Sequence, residues 1–335
     1  MTMTYRIAPA ILLFFLAPLV AEFVLGDLTF AQMGALLALA PLYGGGAILI
    51  REVVRRSGRG WPTFVLLGLA YALLEEALLT QSLFNPNYLH LRLIDYGFVP
   101  ALGTALPWAI FVLTIHVCWS FAVPIGLVES AFPERRAEPW LKVPGLLLAG
   151  LFFVAGALLV SRFSLGQTPF RASSLQLLVS VVLIIGSIAA AFFAFPRPQD
   201  SADILRSPVS PMTLGIGSFL GGSAFLLTHS LGETHLLWQA TASLEAIILV
   251  AIIAVFAWAN SGRFWTSVHS WSAAVGGLLC YVWVGYTVNR GLHGPGHALE
   301  HSVFVVAALL IAAWAGQRTL GNRSSTSGPV VVSPA

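Results

Sequence analysis

Charge is scarce in this sequence. Asp, Glu, Lys and Arg make up 9% of its 335 residues, against about 25% in soluble globular chains. With 57% hydrophobic residues and a mean hydropathy of +0.85, the composition excludes a soluble fold. Cysteine is scarcer still. Cys118 and Cys280 both fall inside apolar stretches, so neither a disulfide scaffold nor a cysteine metal cluster is supported. The net charge is only +3, and no basic run is interleaved with stacking aromatics, so no nucleic-acid partner is expected.

What the sequence has in plenty is long apolar runs. A hydrocarbon core of about 30 Å, crossed at about 1.5 Å per residue, needs roughly 20 mostly apolar residues per span. Ten stretches qualify: Ile7 to Gly26, Ala31 to Ile50, Thr63 to Gln81, Leu102 to Val128, Pro144 to Val160, Leu175 to Phe195, Thr213 to Thr228, Leu236 to Ala259, Trp265 to Val288 and Ala298 to Gln317. The first exceeds a signal-peptide core and reads as a retained helix. The fold class is therefore all-α: a polytopic transmembrane helical bundle of about ten spans, integral to a plasma or inner membrane and in contact with its lipid bilayer.

With the N-terminus inside, thirteen of the 17 basic residues fall on one side, including Arg51, Arg55, Arg56, Arg59, Arg135, Arg136 and Lys142. Only Arg92, Arg162, Arg171 and Arg290 fall on the other. The positive-inside rule then predicts that both termini are cytoplasmic. Residues 1–321 read as a single transmembrane domain, with a proline-rich cytoplasmic linker near 196–211 and a disordered tail at 322–335. Arg51 to Arg56 read as a topology anchor touching anionic lipid, and Glu129 as a solvated interfacial residue. Pro107 and Pro124 read as kinks that absorb the excess length of the fourth span. Pro41 with Gly44, Gly45 and Gly46 reads chiefly as close packing through small residues.

An acid inside a membrane is a functional candidate, because burying its charge costs several kcal/mol. Glu22, Glu75, Glu76 and Glu245 all lie between the midplane and the outer surface, and His116 lies near the middle. Glu75 and Glu76 are adjacent, and two carboxylates this close in a low dielectric cannot both ionise easily. That suits a base that activates water, or a proton-coupled carrier. The plainer reading is a protonated pair bonded to Tyr71 or Thr80. His297-Ala298-Leu299-Glu300-His301 matches H-x-x-E-H, two imidazoles on one helical face beside a Glu. A zinc ion there would need a third ligand from Glu245, His229 or His116; without one, these are interfacial histidines at a helix start.

Glu75-Glu76 on one helix, Phe111 to His116 on the next, and a histidine pair on a late helix together resemble the intramembrane glutamic peptidase superfamily, which includes the CAAX-processing and bacteriocin-immunity (CPBP) proteins. The resemblance implies a paired Glu and two later histidines that activate water within the membrane. Glu75 and Glu76 would match the paired glutamates, His116 the first histidine, and His297 or His301 the second. The family's Glu-Glu-x-x-x-Arg reads here as Glu75 to Thr80, its Phe-x-x-x-His is one residue longer, and its final His-x-x-x-Asn reads His297 to His301. The overlap covers spans three and four, about 60 residues.

Three functions follow as expectations. The first is an intramembrane hydrolase acting on a membrane protein or peptide through Glu75, Glu76, His116 and His297 or His301. The second is a proton-coupled transporter of inverted five-helix halves, in which Glu75 would correspond to Glu245. The third is a noncatalytic membrane scaffold whose glutamates join helices.

Overall fold

The computed structural model describes residues 3–195, 209–261 and 265–326. Among them, ten helices are long and apolar enough to cross a membrane. They are α1 (Ile7–Val24), α2 (Ala35–Arg56), α3 (Trp61–Leu79), α4 (Leu106–Ala131), α5 (Val143–Gln167), α6 (Ser174–Phe193), α7 (Pro211–His235), α8 (Trp238–Asn260), α9 (Ser267–His293) and α10 (Pro295–Gly321). The chain is an all-helical, integral multi-pass membrane protein. Its one pair of strands, among the described residues, is a two-residue antiparallel ladder just before α4, pairing Phe98 with Ala105 and Val99 with Thr104.

Helix starts follow local chemistry. Pro62, Pro107, Pro144, Pro211 and Pro295 each occupy a first-turn position, where no intrahelical N–H is needed. The Ser173 and Ser210 side chains accept from Gln176 and Thr213 backbone N–H groups to cap α6 and α7. Pro107 thus starts α4 and does not kink it. The helix containing α7 runs to His235, so His229, Glu233 and His235 lie on it and not beyond it. The last helix continues to Thr326, into the segment read as a disordered tail, while residues 327–335 and most of the 196–211 linker lie outside the described residues.

Burial is uneven around the bundle. In α2, 67% of the spanning window is buried, against 11% in α5 and in α6, so α1 to α4 form the interior with α9 and α10, and α5 to α8 line the periphery. Leu147, Leu151, Leu158, Leu175, Ile185 and Val250 are exposed there, as side chains facing lipid should be. The two five-helix halves are therefore not packed alike. Trp119 on α4 donates its ring N–H to the Gly277 carbonyl on α9 at 2.8 Å and stacks on Tyr281. These contacts fix α4 against α9.

The small residues of α2 do permit close approach. A Cβ on Gly44 would lie 2.1 Å from the Phe14 carbonyl oxygen of α1, which is backbone and cannot rotate away. Gly44→Ala is accordingly expected to destabilise the protein by at least the roughly 1–3 kcal/mol typical of overpacking. Thermal unfolding in detergent reads this, and an unchanged Tm would contradict the packing described.

Within the basic run at the end of α2, Arg51 does not face lipid. Arg51 and Glu52 are fully buried and Glu129 nearly so. Arg51 donates to Glu129 and Glu52 at 3.0 Å each, and to the carbonyls of Arg135, Arg136 and Glu138. Its guanidinium also lies 3.5 Å from the centre of the Trp140 ring. Arg55 shares Glu129. A buried guanidinium requires such satisfaction, and the loop after α4 supplies it.

Candidate functional site

The first four helices share an irregularity. Each contains a π-helical stretch: Leu19–Val24 in α1, Ala40–Gly44 in α2, Leu74–Leu79 in α3 and His116–Ala122 in α4. Their wider turns show in backbone bonds from Asp27 N–H to Glu22 and from Thr80 N–H to Glu75, each skipping five residues. Pro41, which has no N–H to give, explains the break in α2. Such bulges re-aim side chains and gather at functional sites. Here they carry Glu22, Tyr43, Glu75 with Glu76, and His116 with Ser120, and these polar groups meet.

Glu75, Glu76 and His116 are all buried, and one ligand atom from each lies within 4.8 Å of the others. His116 Nε2 is 2.8 Å from Glu76 Oε1. The second Glu76 oxygen accepts from the Ser82 hydroxyl and, at 3.4 Å, from Thr80, so both of its oxygens are engaged. Glu76 thus holds His116 Nε2 through one oxygen while the other is fixed by two hydroxyls. His116 Nδ1 is 3.2 Å from Ser120 Oγ and 3.6 Å from Glu75 Oε2. That Glu75 oxygen is buried and completes no hydrogen bond, and the Tyr71 hydroxyl is turned toward Glu75. The Tyr43 ring stacks near His116 at 5.9 Å, with its hydroxyl directed at Glu22 and Glu75.

The chain belongs to an uncharacterized membrane protein family. The family model matches residues 11–320, which includes all ten spans apart from the first few residues of α1 and the last of α10. No curated protein and no solved structure matches.

The other expected site residues lie elsewhere. His297 is partly exposed and bonds to Glu300 at 3.3 Å. His301 is buried with neither ring nitrogen hydrogen-bonded, against Tyr286 and Gly285, where a Cβ would come within 2.7 Å of its Nε2. The two therefore do not present a shared metal face, and neither joins Glu75, Glu76 and His116 in one ligand group. Glu245 is fully buried but pairs with His229 at 2.8 Å, and that imidazole stacks on Phe111 at 3.7 Å. Glu75 and Glu245 thus each lie beside an imidazole, His116 and His229, and each leaves one carboxylate oxygen without a hydrogen bond. Cys118 and Cys280 are free thiols.

At the C-terminal end of α3, Thr80 and Ser82 of the segment that follows reach Glu76. Gln81, Leu89, His90 and Arg92 all have positive φ, a costly conformation for residues other than glycine, which clusters near functional sites. A surface cleft of about 410 Å³ near this segment is lined by Pro86, Ile94, Asp95 and Phe98, none of them a member of the cluster.

Asp27 follows α1, half-buried, with its backbone carbonyl accepting from His293. Burial pushes its carboxyl well above the usual carboxylate range, and the Glu22 charge adds to the rise while His116 opposes it. The folded chain therefore holds a proton there that the unfolded chain has lost. Stability from this group is full at low pH and is lost as pH rises from the ordinary carboxylate range through the folded value. Asp27→Asn should flatten that loss and raise Tm at neutral pH relative to wild type. Melting curves over a pH series test it, and an unchanged slope would contradict it.

Tyr43 had no signal in the sequence, because an aromatic ring in an apolar helix reads as packing. Tyr71, one turn before Glu75, was legible as a partner of the glutamate pair.

Proposed function

We propose that the protein is an intramembrane hydrolase that cleaves amide bonds of a membrane-embedded protein or peptide. One observation carries the reading: Glu75 presents an unengaged oxygen 3.6 Å from His116 Nδ1, while Glu76 grips the opposite ring nitrogen at 2.8 Å. The gap between Glu75 and His116 is too wide for a direct hydrogen bond and is flanked by the Tyr71 hydroxyl. Glu75 takes a proton from water, and the resulting hydroxide attacks the scissile carbonyl carbon. His116, fixed by Glu76, stabilises the oxyanion. As the C–N bond breaks, the leaving amine receives the proton that Glu75 accepted. The likeness of Glu75-Glu76 and His116 to the glutamic peptidase pattern supports the same assignment, and His297 and His301 take no part in it.

The test compares new protein termini in membranes from cells that contain the wild-type chain, Glu75→Gln or Glu76→Gln, each checked for folding by its melting curve. Termini present only with the wild type support the reading. Identical termini in all three reject it, and leave Glu75 and Glu76 as helix-joining groups.

A further inference from the structure

We infer that Glu75 and His116 form a binding site for one divalent transition-metal ion of the zinc class, with Glu76 as the outer carboxylate that orients the imidazole. The inference rests on the reading that the gap between Glu75 and His116 is where water is activated, and it names the cofactor of that gap. Four-coordinate zinc with bonds of about 2.0–2.2 Å places its donor atoms roughly 3.3–3.6 Å apart. Glu75 Oε2 and His116 Nδ1 are 3.6 Å apart, so an ion fits between them once the Ser120 hydroxyl, 3.2 Å from that nitrogen, turns aside. A metal-bound histidine usually donates its other ring N–H to a carboxylate, and His116 Nε2 already meets Glu76 in that way at 2.8 Å.

Charge points the same way. Glu22, Glu75 and Glu76 act electrostatically on His116. Among the described residues, no Lys or Arg forms an ion pair with any of the three glutamates. Three carboxylates around one imidazole in a low-dielectric interior need protons or a cation. A second observation is geometric: Glu75, 3% exposed, turns its Oε2 toward His116 Nδ1 and that oxygen completes no hydrogen bond. An oxygen-rich set with a single imidazole leaves coordination positions for water. Bound there, the ion would supply the polarisation of the carbonyl otherwise given to His116, with Glu75 and His116 holding it.

The test uses the purified full chain in detergent, stripped with EDTA and re-equilibrated with Zn²⁺ or Co²⁺. Metal content by mass spectrometry should approach one equivalent in the wild type and in Glu245→Gln. It should fall at least tenfold in Glu75→Gln and in His116→Ala whose melting curves show them folded. X-ray absorption of the zinc-loaded wild type, which depends on no variant, should show nitrogen and oxygen donors with a single imidazole. Wild-type metal content no higher than in the two site variants, or a shell containing sulfur or several imidazoles, would overturn the inference. Cleavage that persists in stripped, metal-free protein would overturn it while leaving the hydrolase reading intact. Stoichiometric binding without cleavage would support the metal site and count against the hydrolase.

Discussion

Glu76→Gln should lower cleavage by about 10²–10⁴-fold, the range for losing a positioned acid–base group, while the protein remains folded. The amide keeps the size of the carboxylate and can still meet Ser82 and Thr80, so packing around residue 76 is preserved. What it loses is the negative charge opposite His116 Nε2. Without that charge, the imidazole has no reason to hold its proton on Nε2 or to carry positive charge while an oxyanion forms. Glu75→Gln should cost a similar factor by a different route, since the proposed mechanism makes its unengaged oxygen the proton acceptor. Because the groups act as a unit, the double variant should be little worse than either single one. Multiplicative losses in the double variant would show that the two glutamates work separately.

The largest stability effect is expected far from that cluster, at Arg51. Arg51→Met leaves Glu52 and Glu129 buried with one fewer partner, and takes one donor from each of the carbonyls of Arg135, Arg136 and Glu138. Breaking a buried ion pair by removing one partner costs about 3–5 kcal/mol. Arg51→Lys should recover little, because one ammonium cannot span five acceptors arranged around a planar fork. Unfolding of the detergent-purified variants measures this. A loss below about 1 kcal/mol, the size for an exposed ion pair, would return Arg51 to the role of a surface anchor.

The ten spans were legible because each one independently satisfies the length and hydropathy that a bilayer demands. Glu75, Glu76 and His116 were legible as candidates because ionisable groups are rare in such helices. Their meeting was not, since Glu76 and His116 are 40 residues apart and only the π-helical turns of α3 and α4 aim them at one another. A hydrogen-bond register leaves no trace in hydropathy, although Pro41 marked one of the four irregular helices. Arg51 was misread for a related reason. Charge counting assigns an arginine to a side of the membrane, whereas its burial is set by Glu129, 78 residues later. His297 and His301 shared a helical spacing, yet the turn at Gly294 and the packing on Gly285 send one outward and the other into the bundle.

Hydrolysis in H₂¹⁸O tests the account most directly, because an activated water leaves its oxygen in the new carboxyl terminus. Membranes containing the wild-type chain should yield cleaved peptides with one ¹⁸O at that terminus, and membranes containing Glu75→Gln, Glu76→Gln or His116→Ala should yield none. Labelled termini appearing equally with all four chains would contradict the assignment of water activation to these three side chains.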